Sequence, residues 1–309
     1  MSDLKIGVIG IGAFGSRAAM RLLWQGYHNL VVYDTHEQTP RIFTGTFGGL
    51  SLGSPKAVAQ LSDIVIICLP SASEMREVFF GWEGLVRGFK GEGLVMDIGT
   101  TDPLETGEIA AELARHKVRL VDAPGFGTPD DAREGRLTLV VGGEDDAVER
   151  CQPVLNALAT KIIRAGATGS AQAAVAIADY VRAARLLAAS EAIRLGRHFG
   201  FGPSNLLDVC EALGGTAMGA MLQNEVASRR FKSGTQLGVL HDNVALAERV
   251  ARVAGLRLPL MTQTEAMLKQ AENLLGYSND QSAVIKWLET LVAEQGEAPQ
   301  GPETQTGPV

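Results

Sequence analysis

Short apolar runs alternate with stretches of helical spacing along the first half of the chain. The apolar runs lie at Ile6–Ile9, Leu30–Tyr33, Ile64–Leu69, Gly93–Asp97, Val118–Asp122 and Leu137–Val141. Their length is typical of buried strands, and the segments between them, such as Pro103–His116 and Asp145–Leu158, carry the spacing of amphipathic helices. Strands that alternate with helices form a mostly parallel sheet that helices cover on both faces. The first half therefore predicts an α/β domain.

The pattern changes after the segment Lys161–Gly166, because no further strand signal follows. The stretch Ser170–Leu195 is rich in alanine, and four later segments have helical spacing: Ser204–Leu213, Gly238–Ala254, Pro259–Leu275 and Asn279–Ala293. Glycines mark the expected helix ends at Gly200, Gly214, Gly215, Gly255 and Gly276. We predict a Rossmann domain over 1–165, an all-helical domain over 166–294, and a disordered tail over 295–309, where apolar residues are scarce.

A glycine turn directly follows the first predicted strand. Its residues are Gly10, Gly12 and Gly15 in the spacing Gly-x-Gly-x-x-Gly, and helical spacing begins immediately afterwards. The first glycine permits a tight turn, the second allows close approach of a pyrophosphate, and the third allows the helix to pack on the strand. The helix N-terminus directs N–H groups at the phosphates. The turn, including Ala13 and Phe14, is therefore a predicted dinucleotide site.

An acidic residue ends the second predicted strand. Asp34 lies where this fingerprint places a carboxylate on the ribose 2′-hydroxyl, nineteen residues after Gly15. A carboxylate there would repel a 2′-phosphate, so NAD is the predicted cofactor rather than NADP. Two observations keep an alternative open: Asp34 would also suit the start of a turn, and Arg41 is close enough in sequence to offset its charge.

Length and charge exclude several classes of protein. A chain of 309 residues accommodates two domains, and its net charge of −7 disfavours nucleic acids and anionic membranes as partners. The longest apolar runs are far shorter than a bilayer span, so we expect a soluble, cytoplasmic protein. Cys68, Cys151 and Cys210 are widely spaced in apolar surroundings, which predicts reduced, buried thiols and no metal site.

Several motifs occur together in one order along the chain. They are Gly10–Gly15, Asp97–Pro103, Asp122–Thr128, Glu191–Ala192, His241–Asp242 and Pro259–Leu260. In this order they resemble the β-hydroxyacid dehydrogenase family, which includes 3-hydroxyisobutyrate dehydrogenase and tartronate semialdehyde reductase. The resemblance implies a Rossmann domain joined by a long helix to a helical domain, usually in a dimer or tetramer. It also implies cofactor contacts at Leu69, Pro70 and Thr100, and substrate contacts at Gly125, Phe126 and Gly127.

The chain departs from the family pattern at the positions that carry chemistry. Val175 occupies the position of the family's catalytic Lys, and Asp179 occupies that of an Asn four residues later. Phe126 and Gly99 each replace a Ser, and His241 replaces a Lys. These changes remove a cation and two hydroxyls, so we expect a substrate that is bulkier or less anionic than is usual for the family.

The loss of the Lys leaves the proton transfer to another group. Asp179 is the first candidate, because residues four apart lie on the same face of a helix and apolar neighbours would raise the pKa of its carboxyl. Tyr180 is a weaker candidate, since its side chain leaves the helix about 100° away. His241 is the second candidate, in catalysis or in holding the cofactor. Alternatively, Asp179 only pairs with Arg182, and His241 is structural.

The leading hypothesis is an NAD-dependent oxidoreductase that transfers hydride to or from a hydroxyl or carbonyl substrate. An imine reductase is the second hypothesis, since an iminium needs no protein proton and a carboxylate would stabilise its charge. A catalytically silent NAD-binding protein is the third, which the missing Lys would explain. Small alanine side chains on long helices also predict a homodimer or tetramer formed through the helical domain.

Overall fold

The fold of the chain was analysed in a computed structural model. It describes residues 3–200 and 229–293, together with positions 202, 205–206, 208–209 and 212. The chain divides between Ala176 and Ile177 into two compact units. The predicted helix Ser204–Leu213, Gly214, Gly215, Cys210 and the predicted tail lie wholly or largely outside the described residues.

Unit 1 contains a sheet of nine strands with seven helices and the start of an eighth. The strands are β1 (Ile6–Ile9), β2 (Leu30–Tyr33), β3 (Leu50–Ser51), β4 (Ile64–Ile67), β5 (Gly93–Asp97), β6 (Val118–Asp122), β7 (Gly125–Phe126), β8 (Leu137–Gly142) and β9 (Ala159–Gly166). The helices are α1 (Ala13–Trp24), α2 (Gln38–Phe47), α3 (Pro55–Gln60), α4 (Ala72–Phe80), α5 (Pro103–Arg115), α6 (Pro129–Glu134), α7 (Asp145–Leu158) and α8 (Ser170–His198), with a 3₁₀ turn at Leu85–Arg87.

The strand order is β3-β2-β1-β4-β5-β6-β8-β7, and β9 pairs with β8. The six strands from β3 to β6 are mutually parallel, whereas β8 pairs antiparallel with β6 and β7. The chain order reverses beside β1, where the connection from β3 crosses to β4. In a doubly wound sheet the ligand crevice lies at this switch point, at the carboxyl ends of the strands.

The central strands of the sheet are buried on both faces. Strand β4 shows why its sequence is continuously apolar: Ile64 and Ile66 pack into the core beneath α1 and α7, while Val65 and Ile67 pack into the core beneath α3, α4 and α5. Successive side chains alternate between the faces, so a strand covered on both sides needs apolar residues throughout. The predicted mostly parallel α/β domain is confirmed.

Unit 2 is helical over its described residues. It holds the greater part of α8, followed by α9 (Leu237–Val253), α10 (Pro259–Leu275), a 3₁₀ turn at Gln281–Ala283 and α11 (Val284–Ala293). These helices bury a common core that includes Leu186, Leu240, Leu268 and Trp287. The predicted all-helical second domain is confirmed. No described helix is both long and apolar enough to cross a membrane.

Three features of the fold were not predicted. Strand β9 extends the sheet where the sequence indicates only a change of composition, and β3 and β7 are two-residue strands. Ala159–Gly166 is mostly exposed and carries Lys161 and Arg164 among its apolar residues, so its pattern does not look like a buried strand.

Candidate functional site

The glycine turn has the shape that a dinucleotide pyrophosphate needs. A Cβ on Gly10 would lie 2.2 Å from the Cys68 carbonyl oxygen, and one on Gly15 would lie 1.9 Å from the Gly10 carbonyl oxygen. Gly10 also adopts a φ of 89°, in the region that favours glycine. A Cβ on Gly12 would have no heavy atom within 4 Å. The turn is thus closed at its base and open at its tip.

The helix that follows the turn presents its N-terminus to this open space. Helix α1 begins after Gly12 without a side-chain cap, and its first turn carries no acidic residue. Unpaired N–H groups and the partial positive charge at such a terminus suit a phosphate. The residues present therefore fit the pyrophosphate of a nicotinamide dinucleotide.

Asp34 links the end of β2 to the same turn. One oxygen of its carboxylate accepts a hydrogen bond from the Ile11 N–H at 2.8 Å, and the other accepts from the His36 N–H at 2.9 Å. The oxygen that accepts from His36 N–H also lies 3.4 Å from the His36 Nδ1, whereas the oxygen bonded to Ile11 N–H has a second acceptor position for a ribose hydroxyl. Arg41 is exposed, and its Nη2 lies 3.7 Å from a carboxylate oxygen of Glu37. The two residues form a separate ion pair at the start of α2.

The segment after β5 is held by a buried network around Asp97. The carboxylate accepts hydrogen bonds from the Gly99 N–H at 2.9 Å and from the Thr101 hydroxyl at 3.2 Å. Burial raises the pKa of Asp97 to about 7, with a further contribution from Asp122 on the neighbouring strand, while the Gly99 N–H acts in the opposite direction. Asp97 and Asp122 are register partners at the ends of β5 and β6.

Asp122 faces the start of α8. Its carboxylate accepts hydrogen bonds from the N–H groups of Gly169, Ala171 and Gln172, at 2.9, 3.0 and 3.1 Å. Burial raises the pKa of Asp122, and these backbone donors oppose the shift. A carboxylate at a helix N-terminus satisfies N–H groups that have no partner within the helix. Asp122 therefore joins the end of β6 to the start of α8.

Gly99 stands where the family has a Ser, and the structure gives a physical reason. A Cβ at Gly99 would lie 3.1 Å from the Leu69 carbonyl oxygen and 3.2 Å from the Asp97 carboxylate. A Ser would therefore crowd both groups. The two predicted cofactor residues after β4 differ in burial, since Leu69 is buried and Pro70 is exposed. Thr100 is partly buried in the segment after β5.

The predicted substrate loop is rigidly folded. Gly125 and Phe126 form β7 and pair with Leu139 and Thr138 of β8. A Cβ on Gly125 would lie 3.2 Å from the Phe14 ring, so the loop reaches the glycine turn. Thr128 then caps α6, exchanging hydrogen bonds with Asp131. Phe126 is partly buried, and Val175, on α8, is buried.

In unit 2, Asp179 lies in a polar cluster on α8 and α9. It is 2% exposed, with Arg182 Nη2 2.8 Å from one carboxylate oxygen and the Asn243 amide donating to the other. Burial raises the pKa of Asp179, while Arg182 and the Asn243 hydrogen bond act in the opposite direction. The pairing with Arg182 that the sequence offers as an alternative is therefore present, but in a buried setting.

His241 lies between two carboxylates of α10. Its Nδ1 is 2.5 Å from a Glu272 oxygen, and its Nε2 is 3.2 Å from a Glu265 oxygen. Next to it, Asp242 accepts a hydrogen bond from the Tyr277 hydroxyl at 2.9 Å.

Sequence reasoning did not identify two polar residues of these networks, Gln172 and Asn243. Both are buried, and each meets a partner more than sixty residues away in sequence. A buried amide on an otherwise apolar helix face is the only signal that would have singled them out. Over the part of the chain that the structure describes, no three His, Cys, Asp or Glu side chains are grouped to hold a metal.

Comparison with known proteins identifies both units. Residues 5–166 match the NAD binding domain of 6-phosphogluconate dehydrogenase, and residues 169–288 match the NAD-binding domain of NADP-dependent 3-hydroxyisobutyrate dehydrogenase. The chain is 28% identical to 2-(hydroxymethyl)glutarate dehydrogenase of Eubacterium barkeri, covering 94% of this chain and 96% of that protein.

A second relative is 3-sulfolactaldehyde reductase of Escherichia coli, which is 29% identical over 91% of this chain and 94% of its own. Among solved structures, 3-hydroxyisobutyrate dehydrogenase of Mycobacterium tuberculosis aligns with a TM-score of 0.85 at 24% identity. That alignment covers 92% of this chain and 99% of the other, so the two share one fold throughout.

Proposed function

Because this chain belongs to the β-hydroxyacid dehydrogenase family of NAD(P)-dependent oxidoreductases, we propose that it uses NAD and acts on a hydroxyl or carbonyl substrate less anionic or bulkier than the family's usual ones. The observation that carries the substrate proposal is Val175, a buried apolar residue at the position of the family's catalytic Lys. Relatives of the chain are named for a glutarate and a sulfolactaldehyde, both anionic. Without the cation at position 175, an anionic substrate loses one electrostatic partner.

The preference for NAD rests on Asp34. Its carboxylate is fixed beside the glycine turn by two backbone N–H groups, so it cannot rotate away from an incoming ribose without losing both hydrogen bonds. A ribose 2′-hydroxyl can donate to it, whereas a 2′-phosphate would meet a like charge. Arg41 forms an exposed ion pair with Glu37, and no hydrogen bond or ion pair between Arg41 and Asp34 is present among the described residues.

The nicotinamide of the bound cofactor would accept or supply the hydride. The chain's own part is then to hold the cofactor and to exchange the proton of the substrate hydroxyl. The turn Gly10–Gly15 and Asp34 would bind the pyrophosphate and adenosine ribose, and the segment containing Thr100 would adjoin the nicotinamide. Gly125–Gly127 would contact the substrate.

Asp179 is the proposed acid–base residue. Its buried carboxylate has a raised pKa, which brings proton exchange closer to neutral pH, where a general acid or base is most effective. It lies one helical turn after Val175 on α8, and Arg182 stabilises its ionised form. His241 is the second candidate; because both of its ring nitrogens already meet carboxylates, it would have to exchange a partner to take part.

A panel of aldehydes, ketones and imines, assayed for NADH oxidation, tests the proposed activity. Turnover of neutral or bulky carbonyls in preference to small hydroxy-acid aldehydes is the expected result. Preferential turnover of imines would support the imine reductase instead, for which the carboxylate of Asp179 is the relevant feature. If NADH binds but no substrate is turned over, the chain is a silent NAD-binding protein.

A further inference from the structure

Gln172 makes an unusual set of hydrogen bonds in the first turn of α8. The side chain is fully buried, and its Nε2 donates to the Gly99 carbonyl at 2.9 Å. Its Oε1 accepts from the Thr101 N–H at 3.1 Å, and Nε2 also lies 3.4 Å from the Asp97 carboxylate. The Nε2 group faces only acceptors and Oε1 faces a donor, so the nitrogen and oxygen of the Gln172 amide cannot exchange places. One side chain thus holds the backbone on both sides of Thr100.

The backbone of Gln172 is fixed as firmly as its side chain. Its N–H and those of Gly169 and Ala171 donate to the buried carboxylate of Asp122 at the end of β6. The side chain then reaches the segment that follows β5. Gln172 therefore joins the carboxyl ends of two neighbouring strands through the start of one helix.

We propose that Gln172 is a positioning residue, which holds the backbone of Gly99–Thr101 where it receives the nicotinamide half of the cofactor. The inference rests on the proposed function, since it takes the segment around Thr100 as the nicotinamide neighbour. Because Gly99 has no side chain, this end of the site depends on the placement of backbone groups. Loss of the Gln172 amide leaves a buried N–H and a buried carbonyl without partners, and the segment must shift to satisfy them.

Two ligands separate the halves of the cofactor site. NADH carries the nicotinamide, whereas ADP-ribose shares the rest of the molecule and lacks that ring. We expect Gln172→Met to weaken NADH binding by about tenfold in calorimetry, the loss of about one buried hydrogen-bonding interaction. ADP-ribose should bind the variant as it binds the wild type. The ratio of the two affinities is therefore the quantity to measure.

The matched control is Gln281→Met. Gln281 is 1% exposed and lies in the 3₁₀ turn of unit 2, so this change removes an equally buried amide elsewhere. Whatever its effect on stability, Gln281→Met should leave the ratio of NADH to ADP-ribose affinity at the wild-type value. A general loss of folding cannot then be mistaken for a local effect.

A second variant gives a signature that a purely structural role would not produce. In Gln172→Glu, a protonated carboxyl can donate to the Gly99 carbonyl and accept from the Thr101 N–H, whereas the ionised form cannot donate. The affinity ratio should therefore approach the wild-type ratio at pH 6 and fall below it at about pH 9, and burial beside Asp97 favours the protonated form. This series decides the matter even if Gln172→Met does not fold.

An unchanged ratio of NADH to ADP-ribose affinity in Gln172→Met would overturn the positioning role, whether neither affinity changes or both fall by the same factor. A Gln172→Glu ratio that stays constant relative to wild type across the pH series would do the same. If the wild-type protein binds neither NADH nor ADP-ribose, the proposed cofactor is wrong. The positioning role of Gln172 is then refuted as well. That outcome is distinguishable, because it appears before any variant is made.

Discussion

At the scale of single residues, three aspartates differ in their burial and in their hydrogen-bond partners. Asp34 is fixed by backbone N–H groups at the edge of the glycine turn, where it can meet a ribose. Asp97 is fully buried beside a second carboxylate. Asp179 is buried against Arg182 and Asn243. The residue type is the same, so burial and partners are the basis on which different roles are proposed for Asp34 and Asp179.

Substitution of Asp34 tests the choice of cofactor. We expect wild-type NAD to bind at least about tenfold more tightly than NADP, which requires only about 1.4 kcal/mol from a carboxylate facing a phosphate. Asp34→Ser should narrow this gap, as measured by calorimetry with both cofactors. Arg41→Gln is the control, because a residue paired with Glu37 should leave the preference unchanged. Equal affinities in the wild type would refute the role of Asp34.

Substitution of Asp179 tests the acid–base role. A positioned acid or base contributes about a hundredfold to ten-thousandfold in rate, so Asp179→Asn should lower kcat by at least about a hundredfold. NAD affinity should hardly change, because the cofactor-binding turn lies in unit 1. A variant with wild-type kcat would show that Asp179 is structural, and the same substitution logic would then apply to His241.

Arg182→Met provides the matched control for Asp179. Arg182→Met and Asp179→Asn both lose the buried Arg182–Asp179 ion pair and the stability that it provides, but only Arg182→Met keeps the carboxylate. Arg182 opposes the rise in the pKa of Asp179, so its removal should raise that pKa further. The limb of the pH–rate profile that reports Asp179 should therefore move to higher pH in Arg182→Met. If this limb does not move in Arg182→Met, the pH–rate profile does not report the ionisation of Asp179.

At the scale of elements, β5 and β6 end side by side in carboxylates, and α8 starts above them. This arrangement makes stability depend on pH. Burial raises the folded-state pKa of Asp97 from 3.8 to about 7, so the folded protein holds this proton more tightly than the unfolded chain does. The stabilisation is complete below about pH 4 and is lost as the pH rises through about 7.

Asp97→Asn should flatten this dependence. A single such group makes the free energy of unfolding fall by at most about 1.4 kcal/mol per pH unit between the two pKa values. The variant should lose less stability than the wild type between pH 5.5 and 8, because its amide does not ionise in this range whereas the buried Asp97 carboxyl does. Urea unfolding at several pH values measures this. Asp145→Asn, at an almost fully exposed site, should keep the wild-type slope.

The elements that sequence patterns predict are those with a clear apolar run or a clear period. Strand β4 lies within a continuous apolar run, and helix α10 has 17 residues at helical spacing, so the sequence places both almost as the structure does. Strands β3 and β7 contain two residues each, so no alternation can be detected. Strand β9 is an outer strand with charged residues, and its neighbours in the sheet rather than its composition determine that it is a strand.

The residues of the candidate site also differ in whether a local sequence pattern predicts them. The glycine turn and Asp34 are local in sequence, and their spacing alone predicts the pyrophosphate and ribose contacts. The contacts of Gln172 and Asn243 join residues on different elements, separated by 73 and 64 positions. No local pattern encodes such pairs, so the networks around Asp97 and Asp179 required the fold.

At the scale of the whole molecule, unit 2 leaves apolar side chains exposed along α8. Ile177 is 54% exposed and Val181 is 47% exposed, and they lie four residues apart on one helix face. Leu258 and Leu260, at the start of α10, are 40% and 63% exposed. Alanines elsewhere on α8 keep its surface low enough for another helix to approach closely. These features support the proposal that two chains associate through the helical domain.

Light scattering tests this association. We expect the mass of at least two chains at micromolar concentration, because burial of such side chains is worth about 25 cal/mol for each Å² removed from water. Val181→Glu should shift the protein towards the mass of one chain, since a buried carboxylate without a partner opposes association. Ile42→Glu changes a residue that is 67% exposed in unit 1, so it should leave the mass unchanged. A wild-type mass of one chain would refute the proposal, and an equal effect of both substitutions would place the interface elsewhere.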